Sequence, residues 1–325
     1  MRPPSTLPAF SAQQKAQAHE LLATRVAFMM GRKLEEADWT RVYCEAKGIP
    51  YTGWSNLNID VIHNGLGVEQ KMVCYRDRPS VREACGTTRM HPAATRSIRV
   101  PALDTPALEA MRDILHQYAE LIDARREQVR ETNPEVEPDL RTGWLIWQES
   151  LREFLYFEER MVKPNPRHYY AEWEHRGPGG RRKPSTSLWI FERKTGKKRF
   201  SVTTSAGAKI QPYFDVPPPD DPNLCFFQVQ GEYLAEGVVR IWLTEATARE
   251  LRRLVGSLQT DALSAAILKA SELQSPEHQG LVTDMQRATP IVVRSEAYAA
   301  LQSMFPISVS DEHMVQMLVQ RLSDG

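Results

Sequence analysis

Asp60, Glu69 and Lys71 are the residues of this chain whose types and spacing could do chemistry together. Asn64-Gly65 lies between them, and Asn-Gly is the strongest short-range signal for a two-residue hairpin loop. With Leu57 to Ile62 as one strand and Gly67 to Val73 as the next, the turn dictates the pairing. His63 opposes Leu66, Val61 opposes Val68, and Asp60 falls opposite Glu69. Lys71, two residues beyond Glu69, shares its face. One face then carries Asn58, Asp60, Glu69 and Lys71, while Leu57, Ile59, Val61, Leu66, Val68 and Met72 form a core face. Like charges directly across a sheet destabilise it, so two facing carboxylates call for a counter-ion. Mg2+ suits them, being held by one or two carboxylates together with waters and substrate phosphates. An ammonium group beside such an ion can orient or help deprotonate a water and stabilise charge on a phosphate. The chemistry expected of this set is phosphodiester hydrolysis.

An acid on one strand and acid-x-lysine on the next resembles the PD-(D/E)xK nuclease superfamily, and within it the type II restriction endonucleases. Asp60 matches the first acid, Glu69 the second and Lys71 the lysine; the usual proline is absent, Ile59 standing before Asp60. The motif match runs from about Glu35 to Lys71, and the order helix, hairpin, basic loop, helix is compatible with it as far as Ile122. The resemblance implies a mixed α/β (α+β) fold with a central mixed sheet flanked by helices. It also implies Mg2+ bound by Asp60, Glu69 and the Gln70 carbonyl, cleavage of double-stranded DNA, and often a homodimer with one active site per strand. Superfamily members often place a further glutamate on the preceding helix, a role open to Glu36 or Glu35. Two other triplets, Glu192-Arg193-Lys194 and Glu45-Ala46-Lys47, lack an acid in a readable register and read as solvated charge at a turn and a helix end.

The 325 residues are 42% hydrophobic and 25% charged, a globular composition. No apolar run approaches a membrane span, and the first residues lack a signal-peptide core. Cys44, Cys74, Cys85 and Cys225 show no CxxC spacing, so reduced thiols in a cytoplasm are expected rather than disulfides or structural zinc. Net charge is zero, but its distribution is uneven. Lys71 to Arg99 holds seven basic residues against two acids, and Arg176 to Arg199 holds nine against one. Two such segments point to a phosphate-backbone partner. The expected DNA contacts are Arg89, Arg96, Arg181, Arg182, Lys183, Arg193 and Lys197. Without catalysis the same charges would make a DNA-binding protein; without site specificity, a repair or defence nuclease.

The elements that must position these groups are legible in part. Ser11 and Gln14 form a capping box for a helix expected to run, with a kink at Gly31, to just before Gly48. Pro106 opens a long helix whose apolar stripe is Leu108, Met111, Leu115, Tyr118 and Ile122. A short strand at Gly143–Gln148 and a helix at Glu149–Met161 are expected next, then strands at 169–173, 188–191, 200–203, 210–216, 225–229 and 238–243. Thr244 caps a helical remainder. His91 and His175 read as structural hydrogen-bonding or phosphate-contacting groups, and Trp173, Trp189, Trp242 and Tyr169-Tyr170 as core. This organisation suggests a catalytic core over 1–165, a strand-rich basic segment over 166–245 packed on it, and a helical region over 246–325.

Overall fold

Asn64 and Gly65 both take left-handed backbone angles, φ 48° and 81°, and the hairpin they close begins the first sheet. Its strands are β2 (Val61–His63) and β3 (Leu66–Cys74). The pairing is the one the turn dictates: His63 with Leu66 and Val61 with Val68. The computed structural model describes residues 6–29, 32–51, 59–76, 78–91, 98–177, 184–203, 209–234, 237–271, 288–305 and 309–323. Leu57 and Asn58 therefore lie outside the described residues.

Three further strands extend the sheet, β1 (Thr6–Leu7), β5 (Asp139–Trp147) and β6 (Glu153–Arg160), in the order β1-β6-β5-β3-β2, and a sixth, from later in the chain, pairs with β6. β3 and β5 run parallel while β5 and β6 are antiparallel, so the sheet is mixed. The expected helix over Glu149–Met161 is thus a strand. Phe154, Leu155, Tyr156 and Phe157 are all buried, because both faces of β6 are covered. A doubly covered strand reads as a continuous apolar run, which periodicity cannot tell from a buried helix.

Helices α1 (Ala12–Ala27) and α2 (Glu36–Lys47) cover one face. The Ser11–Gln14 capping box is present, but a second one, Glu35 with Asp38, starts a new helix, so the expected single helix is two. Gly48, at φ 68°, ends it. Trp39 and Tyr43 of α2 pack with Val61, Val68, Leu145 and Tyr156. The other face is covered by α3 (Ala107–Thr132), whose Ile122 and Val129 pack with Ile59, Leu140 and Met161. Ile59 therefore does not share the face of Val61, as strict alternation required; the chain bends at Asp60, and both faces are core.

α3 also supports a second, five-stranded sheet ordered β4-β10-β9-β8-β7. Its strands are β4 (Thr88–Met90), β7 (Tyr169–Arg176), β8 (Ser185–Glu192), β9 (Lys198–Thr203) and β10 (Lys209–Asp215). Met111, Ile114 and Leu115 meet Leu188, Ile190, Val202 and Ile210 there, whereas Leu108 is exposed. Two strands cross the spans expected from sequence. β4 joins this second sheet, and β11 (Cys225–Gln228) pairs with β6 of the first.

The C-terminal part is not helical throughout. Strands β12 (Glu232–Tyr233), β13 (Val238–Leu243) and β14 (Thr289–Arg294) form a third sheet. Helices α4 (Glu245–Val255), α5 (Thr260–Ser271), α6 (Ser295–Ser303) and α7 (Asp311–Ser323) accompany it, Thr244 capping α4 as expected. The four cysteines are free thiols. Among the described residues no helix is long and apolar enough to cross a membrane.

Candidate active site

Asp60 sits where β2 gives out. Its N–H donates to the Val68 carbonyl (3.1 Å), and its Oδ2 accepts from the Gln70 N–H (2.6 Å). The side chain thus replaces the backbone partner that Gln70 would have had if β2 continued. Because polar backbone groups alternate sides along a strand, the Gln70 carbonyl lies on the same edge as its N–H. The Gln70 side chain points the other way, buried, and accepts from Trp39 Nε1 (3.2 Å).

Glu69 and Lys71 share the α3 face, but that face is not open. Glu69 is 2% exposed, with Lys71 Nζ at 2.6 Å from one carboxylate oxygen and the Arg125 guanidinium on the other. Arg125 comes from α3 and is itself buried. Sequence reasoning missed it, although a signal existed: it interrupts the apolar stripe between Ile122 and Val129. Burial pushes the Glu69 carboxyl above the usual range, against the pull of Lys71 and Arg125. Burial also opposes the charge on Lys71, yet Glu69, Glu36 and Asp60 hold its pKa above the ordinary lysine value.

The choice between Glu35 and Glu36 is decided by where α2 begins. Glu35 is the N-cap residue, 73% exposed at its side chain, and lies 4.0 Å from Arg32. Glu36, one position on, is half-buried and shares a hydrogen bond with Asp60. Its pKa is pushed up to about 7, first by burial and then by the charges of Asp60 and Glu69, with Lys71 opposing. Asp60 is raised by burial as well, against the Gln70 N–H and Lys71.

Two carboxyl groups joined by one hydrogen bond are a set of hard oxygen donors, and the Gln70 carbonyl faces the same edge. Mg2+ needs no more than one or two carboxylates from the protein, so Asp60 and Glu36 fit it. Glu69 fits less directly, since both its oxygens are turned to cations. Among the described residues, no three His, Cys, Asp or Glu side chains stand ready as a metal cage.

The raised pKa of Glu36 has a testable consequence for stability. A carboxyl whose folded pKa exceeds its unfolded value contributes stability at low pH that is lost as pH rises through the folded pKa. For Glu36 that window runs from about 4.5 to about 7. Glu36→Gln, which never ionises, should therefore be more stable than the wild type above pH 7 in metal-free buffer. The advantage should shrink as pH falls towards 4.5. Thermal midpoints of both proteins across this range, with EDTA present, check it; a gap that does not change with pH means Glu36 is not held protonated.

The expected DNA contacts divide into three groups. Arg96, Arg181, Arg182 and Lys183 lie outside the described residues. Arg89 is engaged within the protein, donating to Tyr75 Oη (2.8 Å) and Thr87 Oγ1 (3.0 Å) over the Tyr75 ring, and Lys197 pairs with Asp215 (3.1 Å). Arg193 is exposed beside Tyr170. His175 Nδ1 meets Thr186 Oγ1 (3.1 Å), and His91 lies against Trp144 with ring centroids 5.9 Å apart.

The second sheet also presents an aromatic surface where the sequence suggests core. Trp189 and Tyr170 are half-buried on its outer side, away from α3. Tyr170 stacks on Phe191 (centroids 5.1 Å apart), Lys198 lies 3.2 Å over Trp189, and Arg176 5.4 Å from it. Trp173, Tyr169 and Trp242 do pack into cores. No protein-family model, curated protein or solved structure matches this chain.

Proposed function

We propose that the chain is a Mg2+-dependent endonuclease of double-stranded DNA, a type II restriction enzyme of the PD-(D/E)xK kind, working as a homodimer in a cytoplasm. The observation that carries this reading is the convergence of Glu36, Asp60, Glu69 and Lys71 at the open end of one hairpin. Three carboxyl groups gathered with one ammonium have little structural purpose at the margin of a core, where burial works against every one of those charges.

Asp60, Glu36 and the Gln70 carbonyl would hold Mg2+, which when bound supplies Lewis acidity and a water of lowered pKa. The Gln70 N–H anchors one oxygen of Asp60, whose side chain is also hydrogen-bonded with Glu36. Lys71 keeps its proton through Glu69, and is therefore a donor that can hold the attacking water or a phosphate oxygen. Glu69 positions Lys71, and Arg125 places a second positive charge on its other oxygen. The direct test is purified protein on unmethylated plasmid with and without Mg2+. Discrete fragments support a restriction enzyme, a smear indicates a nuclease without site specificity, and uncut DNA overturns the catalytic reading.

A second reading, a DNA-binding protein without catalysis, is favoured by one observation: Lys71 and Arg125 occupy both oxygens of Glu69. Retarded but uncut plasmid would support it.

In either case the outer side of the second sheet, with Arg176, Arg193 and Lys198 among aromatic rings, is the surface proposed to meet DNA. Replacing these three with Ala should weaken binding to all sequences alike. The slope of log affinity against log salt should flatten by up to about three. An unchanged slope in gel-shift titrations would put the DNA elsewhere.

A further inference from the structure

A cavity of about 220 Å3 opens beside the candidate active site, between the first sheet, α3 and the second sheet. Glu69 and Lys71 line one end of it, and Thr142 and Glu159 continue along its floor. The register explains this row: Glu69 lies beside Thr142 on β5, and Thr142 beside Glu159 on β6. Two strand spacings put Glu159 about 10 Å from Glu69. The walls are aromatic, formed by Tyr118, Phe200 and the stacked pair Trp144–Phe214, whose ring centroids are 3.9 Å apart.

Glu159 is the unexplained group in this cavity. One of its oxygens accepts from Trp144 Nε1 (2.8 Å). Among the described residues its other oxygen takes no hydrogen bond, and no cation lies in ion-pair contact with it; the nearby Arg199 is engaged by Glu192 and Asp215. A carboxyl surrounded by rings is unfavourable unless it is hydrogen-bonded, and burial accordingly raises its pKa. The site supplies one half of a recognition pair.

We propose that this cavity receives a single nucleobase bearing an exocyclic amino group, which donates to the free oxygen of Glu159. Its DNA context rests on the nuclease reading above. Enzymes that take a base out of the helix hold it between aromatic side chains and read its pairing edge by hydrogen bonds. A carboxylate accepting from an exocyclic amino group is the standard complement to cytosine N4. The volume agrees, falling below the ~300–1,000 Å3 of pockets for drug-sized ligands and suiting one ring system. A base stacked in a duplex cannot enter, so the nucleotide next to the scissile phosphate must leave the stack. That is easiest at mismatched, damaged or single-stranded positions.

The test uses the full chain without Mg2+ and free deoxynucleosides as probes, followed by saturation-transfer NMR. Nucleosides with an amino group (deoxycytidine, deoxyadenosine, deoxyguanosine) arm the experiment against thymidine, which has none. At least one of the three is expected to bind about tenfold more tightly than thymidine. Glu159→Gln keeps an acceptor for Trp144 but presents an amide N–H2 to the base, and should remove that preference. Lys269→Ala, exposed on α5 of the C-terminal part, should leave it unchanged. Thymidine binding as tightly as the others, an unaltered preference in Glu159→Gln, or no binding by any nucleoside would overturn the proposal. Because neither metal nor phosphodiester is present, these outcomes are separate from plasmid cleavage. Protein that binds nucleosides and cuts no plasmid keeps the cavity assignment and loses the nuclease one.

Discussion

Asp60→Ala is expected to leave less than about one part in 10² of Mg2+-dependent plasmid cleavage while DNA binding persists, several kcal/mol of barrier being at stake. Asp60 is half-buried at the end of a strand and anchors one backbone N–H, so its removal leaves the core intact. The hydrogen bond lost is a local one. What disappears is the oxygen donor shared with Glu36 and the negative charge that helps keep Lys71 protonated. Lys71→Ala should lower cleavage comparably, by removing the only ammonium group beside these carboxylates among the described residues. It has one further effect: Glu69 is left with Arg125 alone, and a buried carboxylate that loses a partner destabilises the fold. Circular dichroism must therefore accompany the cleavage and gel-shift assays. Folded Asp60→Ala protein that cuts at the wild-type rate would remove Asp60 from the site.

The hairpin was legible because turn chemistry is local. Asn64-Gly65 demands two left-handed residues in succession, and that demand alone fixes which residues of β2 and β3 oppose each other. The capping box at Ser11 was legible for the same reason. What covers a strand is not local. The sequence sets Glu69 and Lys71 on a polar face opposite the core face, because nothing near them announces that α3 lies over that face or that Arg125 descends from it. β6 was misread because two covered faces erase the alternation that marks a strand. Glu35 and Glu36 were inseparable by type, yet adjacent positions on a helix point about 100° apart, and only the start of α2 decides which of them meets Asp60. Glu159 escaped notice altogether. Its importance comes from the second sheet closing over it, and that is a property of packing between segments far apart in the chain.

Inserting one residue between Asn64 and Gly65 should abolish Mg2+-dependent cleavage although every candidate catalytic residue remains. Which strand yields to the insertion follows from how each is held. β3 pairs with β5 at nine positions, from Leu66 to Cys74, whereas β2 pairs with β3 at only three. The lengthened turn must therefore shift β2, and a one-residue slip turns its side chains to the opposite face. Glu69, Lys71 and Arg125 stay where they are, since β3, β5 and α3 are untouched. Asp60 leaves the Gln70 N–H and separates from Glu36, so the two oxygen donors no longer stand together. Far-UV circular dichroism should be close to wild type, and DNA retention in gel shifts preserved, while cleavage falls by more than about 10²-fold. The same insertion after Gly256, in the turn that joins α4 to α5 of the C-terminal part, serves as the control and should leave the rate of cutting unchanged. If protein with the altered Asn64-Gly65 turn cuts plasmid as fast as that control, catalysis does not depend on the register of this hairpin, and the site lies elsewhere in the chain.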